Sequence, residues 1–121
     1  MDKLLSGRRV LVVEDEILVL MMIEDMLSDL GCQSVTSAAT IEKAIALIEA
    51  QTFDAVMLDM NLDGYDSNTV ADALAERGVP FIYSTGNTDR DMREGFSNRA
   101  VLRKPFSFDE LTSKLEGLFS T

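Results

Sequence analysis

The chain has 121 residues, 46% of them hydrophobic and 26% charged, which suits one buried core with an ordinary charged surface and is too short for two folded domains. Its formal net charge of −10 argues against a nucleic-acid footprint, which needs clustered Lys and Arg, and points to a surplus of carboxylates that a cation would relieve. Histidine is absent and Cys32 is the single cysteine, which excludes an internal disulfide, a thiolate metal cluster, most zinc sites and any Ser-His triad.

The elements follow in order. Arg9-Val10-Leu11-Val12-Val13 is a continuous apolar run, the pattern of a central parallel strand, and ends at Glu14-Asp15. A helix follows from about Glu16 to Leu30, stopped by Gly31, with Leu20, Ile23, Leu27 and Leu30 as its core stripe. Opposite that stripe lie Leu18 and Met22, with Ile17 and Met21 alongside, where polar residues belong. This apolar run, Ile17 to Ile23, is far short of the ~20 residues that span a membrane. The start, Met1 to Leu5, lacks a signal-peptide core, so no membrane role and a cytoplasmic location are expected.

Gln33 to Ser37 reads as a more polar edge strand, and Thr40 to Gln51 as a helix capped by Thr40 that buries Ala44, Ile45 and Ile48. Ala55 to Leu58 is a third strand, ending at Asp59, and Asn61 to Asp66 reads as a loop by its Asn, Asp and Gly content. A helix capped by Ser67 or Asn68 runs to Arg77 and ends at Gly78. Phe81 to Ser84 is a fourth strand, Thr88 to Asn98 a short polar helix, Ala100 to Arg103 a fifth strand, and Phe108 to Phe119 a closing helix capped by Ser107. Five strands alternating with five helices imply one α/β domain, residues 1–121, with a doubly wound parallel sheet.

Functional residues of such a sheet gather outside the carboxyl ends of its strands. Those ends carry Glu14 and Asp15, then Asp59, Thr85 and Lys104. Three carboxylates that converge repel one another, and an oxygen-preferring cation, Mg²⁺ or Mn²⁺, is the natural relief. A cation also allows a carboxylate to attack a phosphoryl group, with Lys104 as a second positive charge and Thr85 as a hydroxyl donor. The product is an aspartyl phosphate. Alone, Asp59 is more often an ordinary loop acid and Lys104 a solvated lysine; together, and each after its strand, the set favours function.

Glu14-Asp15 after a Val-rich strand, Asp59 at a strand end, Thr85-Gly86 and Lys104-Pro105-Phe106 resemble the receiver domain of two-component response regulators over almost the whole chain. The Ser84-Thr85-Gly86-Asn87 segment is similar to a divergent Thr-Gly subgroup, often single-domain. The resemblance implies a flavodoxin-like fold with strand order 2-1-3-4-5, and phosphoryl transfer to Asp59 from a sensor histidine kinase or a histidine phosphotransferase. It implies Asp15, Asp59 and the Asn61 carbonyl as cation ligands, Glu14 acting through water, and a cis Lys104–Pro105 bond. Signalling would proceed by contact with a downstream protein, without nucleic acid, and the only catalysis would be the domain's own phosphorylation and dephosphorylation.

Some positions depart from the family pattern. Val101 stands where receivers usually carry a switch aromatic, which leaves Tyr83 as a substitute or as plain core, and Asn61 and Asn87 flank the acceptor where relatives tune hydrolysis. Two other classes fit less well. An aspartate-nucleophile phosphatase wants a second Asp where Asn61 stands, and an FMN carrier wants a phosphate-cradling loop where Glu14-Asp15 stands.

Overall fold

A computed structural model describes residues 3–32, 34–62, 65–85, 101–104 and 106–119. Its strands are β1 (Arg9–Val13), β2 (Ser34–Ala38), β3 (Ala55–Asp59), the short β4 (Asn61–Leu62) and β5 (Tyr65–Asp66), then β6 (Phe81–Thr85) and β7 (Val101–Arg103). The helices are α1 (Ile17–Asp29), α2 (Ile41–Ala50), α3 (Asn68–Glu76) and α4 (Phe108–Phe119). The expected helix over Thr88 to Asn98 lies outside the described residues, as do Gly86, Asn87 and Pro105.

The main sheet is wholly parallel, in the order β2-β1-β3-β6-β7. Counting only its own strands, this is the expected flavodoxin-like order 2-1-3-4-5. Successive side chains of a strand alternate between faces, and the two cores show it. Leu11, Val13, Val56, Leu58, Phe81 and Tyr83 pack with Ala44 and Ile48 of α2 and with Val70, Ala71 and Leu74 of α3. Val10, Val12, Met57, Ile82 and Leu102 pack with Leu20, Ile23 and Leu27 of α1 and with Leu111 and Leu115 of α4. Both faces being covered explains why the inner strands read as unbroken apolar runs.

The local signals act as the sequence suggests at several ends. Thr40 accepts the Lys43 N–H at 3.1 Å. Ser107 and Glu110 form a reciprocal capping box at the start of α4, at 3.1 and 3.0 Å. Gly31 has φ 96°, and a Cβ there would lie 2.8 Å from Lys3 Cβ, so the turn after α1 requires glycine on two counts.

Three expectations change. Asn61 to Asp66 is not a plain loop: Asn61 pairs with Asp66 and Leu62 with Tyr65 in an antiparallel hairpin, and Leu62 is buried in the core. The Asp-Gly dipeptide between those pairs is a hairpin signal that composition alone obscured. Ser67 stands at the N-cap of α3 but its side chain makes no capping bond; its buried Oγ finds no partner among the described residues. Met22 is half-buried with Val19 and Met26 against the α1/α4 core, so the exposed apolar face of α1 is Ile17, Leu18 and Met21. The stripe is wider than four residues because α1 beds onto a broad, twisted sheet face.

Candidate functional site

Backbone hydrogen bonds that run just past the strands tie the carboxyl end of β1 to β2, of β3 to β6 and of β7 to β6. Glu14 N–H donates to Ala38 O at 3.0 Å, Met60 N–H to Ser84 O at 3.0 Å, and Lys104 N–H to Thr85 O at 2.8 Å. Residues far apart in the chain therefore reach one level of the sheet.

Alternation then decides which side chains meet. Val12, Met57 and Leu102 all face α1 and α4, so Glu14, Asp59 and Lys104, each two residues further on, start from that same face. The Lys104 ammonium sits between them, 2.9 Å from Glu14 Oε1 and 3.1 Å from Asp59 Oδ2. The Asp59 contact is a hydrogen bond. The Glu14 contact is a buried ion pair. Glu14 Oε2 accepts the Glu16 N–H at 3.2 Å.

Burial sets the electrostatics. Glu14 is 1% exposed, and loss of water pushes its carboxyl up to about 7; Lys104 opposes the rise and the neighbouring Asp59 charge adds to it. Burial works against the Lys104 ammonium, but Glu14 and Asp59 outweigh it and raise its pKa above the ordinary 10.5. The lysine stays charged, held by two acids that repel each other.

One oxygen from each of Glu14, Asp15, Glu16 and Asp59 lies within 4.8 Å of the others. Opposite corners of a Mg²⁺ octahedron are about 4.2 Å apart for bonds of ~2.1 Å, so small rotations or intervening water close this set on a cation. The donors are all hard oxygens, and the buried Glu14 and Asp59 carboxylates share one ammonium, so added positive charge relieves them. These residues fit a divalent oxygen-seeking ion.

The expected site residues are thus distributed as follows. Glu14, Asp59 and Lys104 are in direct contact, and Asp15 joins them in the acidic cluster. Thr85 is buried at the end of β6, starting from the other face with Phe81 and Tyr83, and is tied to Lys104 through its carbonyl. Asn61 opens β4, two residues beyond Asp59. Tyr83 is 3% exposed, packs edge-on against Phe81 at 5.4 Å, and lies in register with the half-buried Val101. Sequence reasoning missed Glu16, whose Oε1 is 3.8 Å from Lys104 Nζ. It also missed Ser84, buried and in register with Asp59. The unbroken acidic run Glu14-Asp15-Glu16 was the available signal for the first.

Comparison with known proteins gives the family and the fold. The model of the response regulator receiver domain matches residues 10–116. The transcriptional regulatory protein PdtaR of Mycobacterium tuberculosis is 32% identical over 113 residues, 90% of this chain and 55% of that protein. The chain spans about half the length of the curated relatives it matches first. Among solved structures, SdrG from Sphingomonas melonis Fr1 superposes with a TM-score of 0.84 at 40% identity, covering 95% of this chain and 97% of that one. The receiver domain of the sensor histidine kinase PA1611 from Pseudomonas aeruginosa PAO1, solved with a magnesium ion coordinated in its active-site cleft, gives 0.82 at 30% identity, covering 96% of this chain and 100% of that one. The matched span runs from the first strand into the last helix, and the chain belongs to the response regulator receiver domain family.

Proposed function

We propose that Asp59 accepts a phosphoryl group from the phosphohistidine of a sensor histidine kinase or a histidine phosphotransferase, and that the phosphorylated chain signals through protein–protein contacts. The observation that carries this reading is the buried Lys104 ammonium bridging Glu14 and Asp59 at the strand ends. In the reaction an Asp59 carboxylate oxygen attacks phosphorus, the P–N bond to the donor breaks, and its electron pair leaves with the imidazole. An acyl phosphate results. Asp15, Asp59 and the Asn61 carbonyl would hold the divalent cation, with Glu14 acting through water. When bound, the ion offsets the repulsion between carboxylate and phosphoryl oxygens. Lys104 is already within 3.1 Å of the acceptor oxygen, so it needs little movement to pair with a transferred phosphoryl group. The Thr85 hydroxyl donates to a phosphoryl oxygen.

The unit that does this is the whole of residues 1–121 acting as one receiver domain, whose only catalysis is its own phosphorylation and dephosphorylation. Ile17, Leu18 and Met21, exposed at 65%, 77% and 54%, flank the acidic cluster and offer an apolar landing for the helical phosphodonor. No described helix is long and apolar enough to cross a membrane.

Acetyl phosphate and Mg²⁺ followed by intact-mass measurement tests the acceptor. Wild type gains one phosphoryl group and Asp59→Asn gains none. A wild type that takes up no phosphoryl group from any small donor overturns the reading.

A further inference from the structure

We propose that Met21 is an oxidation site, at which a neutral peroxide converts the thioether to a sulfoxide and so slows phosphoryl transfer from the helical phosphodonor. This deepens the phosphoacceptor reading above and rests on it. Among the described residues that carry sulfur, Met21 alone is more than half exposed, at 54%. Met57 and Met60 are buried, and Met22 and Met26 are half-buried against the α1/α4 core. Cys32 is buried too, with its S–H turned to the carbonyls of Arg8 and Ser34 at 3.6 and 3.5 Å. Met1 and Met92 lie outside the described residues. Of the described sulfurs, the one that an oxidant arriving from solvent meets first is that of Met21.

Its place on the helix gives the modification a consequence. Ile17 and Leu18 lie one turn before Met21 on the same helix surface, and all three are exposed. A sulfoxide adds a strong hydrogen-bond acceptor to this apolar face, and docking then has to strip water from it. Glu24 and Asp25 lie one turn beyond Met21, and Glu14, Asp15 and Glu16 stand just before the helix. That negative surrounding repels anionic oxidants and selects hydrogen peroxide or a neutral organic peroxide as the reagent class. In the step, a sulfur lone pair attacks a peroxide oxygen and the O–O bond breaks. Sulfur gains the oxygen and gives up two electrons; the departing oxygen takes the proton of the transferred one and leaves as water or an alcohol. A thioether has no proton to lose first, so the rate does not climb with pH as a thiol's does.

The test treats wild type and Met21→Leu with dilute hydrogen peroxide and compares each with itself before treatment. Peptide mass mapping locates the added oxygen, and phosphoryl uptake is followed from a loaded histidine phosphotransferase and from acetyl phosphate. In wild type, oxygen should appear on Met21 before Met22, Met26, Met57 or Met60, at a rate that does not rise with pH. Transfer from the phosphotransferase should then slow about three- to thirtyfold while uptake from acetyl phosphate is retained. Treated Met21→Leu should keep its own rate, and a methionine sulfoxide reductase with a thiol reductant should restore the wild type. A sulfoxide at any of those other methionines before Met21 overturns the inference, as does full Met21 sulfoxide with unslowed transfer; both results leave Asp59 as the acceptor. Equal slowing of treated Met21→Leu also overturns it. If untreated wild type takes a phosphoryl group from neither donor, the acceptor reading fails and this inference falls with it.

Discussion

Glu14 gives the most direct physical test of the site, because its burial has a thermodynamic signature independent of any phosphodonor. Its carboxyl is carried from an ordinary 4.5 to about 7 in the folded protein. The folded state therefore binds more protons than the unfolded state between those two values, and stability falls as pH rises through that window. At ~1.4 kcal/mol per tenfold change in proton affinity, the ionised folded state carries a cost of about 3 kcal/mol. Water entry and relaxation around the Lys104 pair reduce that to roughly 1–3 kcal/mol. Glu14→Gln removes the ionisation and keeps the shape. In EDTA at pH 8 it should unfold about 1–3 kcal/mol later than wild type, or about 3–10 °C higher for a chain of this size. At pH 4.5 the advantage should vanish, since the Glu14 carboxyl is then protonated in the folded protein. Urea or thermal denaturation across pH 4.5–8 measures both limits. The reasoning is refuted if Glu14→Gln gains nothing at pH 8, or gains as much at pH 4.5.

Other consequences follow from the same contacts. Lys104→Met takes the ammonium from between Glu14 and Asp59 and should cost about 2–4 kcal/mol at pH 8, with a smaller loss at pH 5, where Glu14 is neutral; urea denaturation at the two pH values checks it. Leu18→Glu with Met21→Glu should slow phosphoryl transfer from a histidine phosphotransferase at least about tenfold while uptake from acetyl phosphate is unaffected; equal slowing with both donors removes α1 as the landing surface. Leu74→Ala, fully buried where α3 packs on the sheet, should lower stability by about 2–5 kcal/mol in chemical denaturation.

Much of this protein is legible in its sequence because the signals are local. The apolar run of Arg9 to Val13, the 3–4 spacing of Leu20, Ile23 and Leu27, and the caps at Thr40 and Ser107 each depend on neighbours within a turn or a strand. Strand-end position is likewise a property of the run that precedes it, which is why Glu14, Asp59 and Lys104 could be named as one group. What the sequence leaves open is how side chains meet across distances that no local pattern spans. Met22 rather than Met21 turns inward because of where α1 rests on the sheet. The hairpin from Asn61 to Asp66 forms around a Leu62 that the core draws in. Glu16 looks like an ordinary helix-cap acid until Lys104, brought up from the far end of the chain, is beside it. The sequence by itself determined the parallel α/β fold and the identity of the acids at its strand ends, since periodicity and termination are local. Only the tertiary structure decided that Lys104 lies 3.1 Å from an acid 45 residues away, and that Glu14 is buried enough to titrate near neutrality. Distance and desolvation are properties of the packed sheet, not of any one segment.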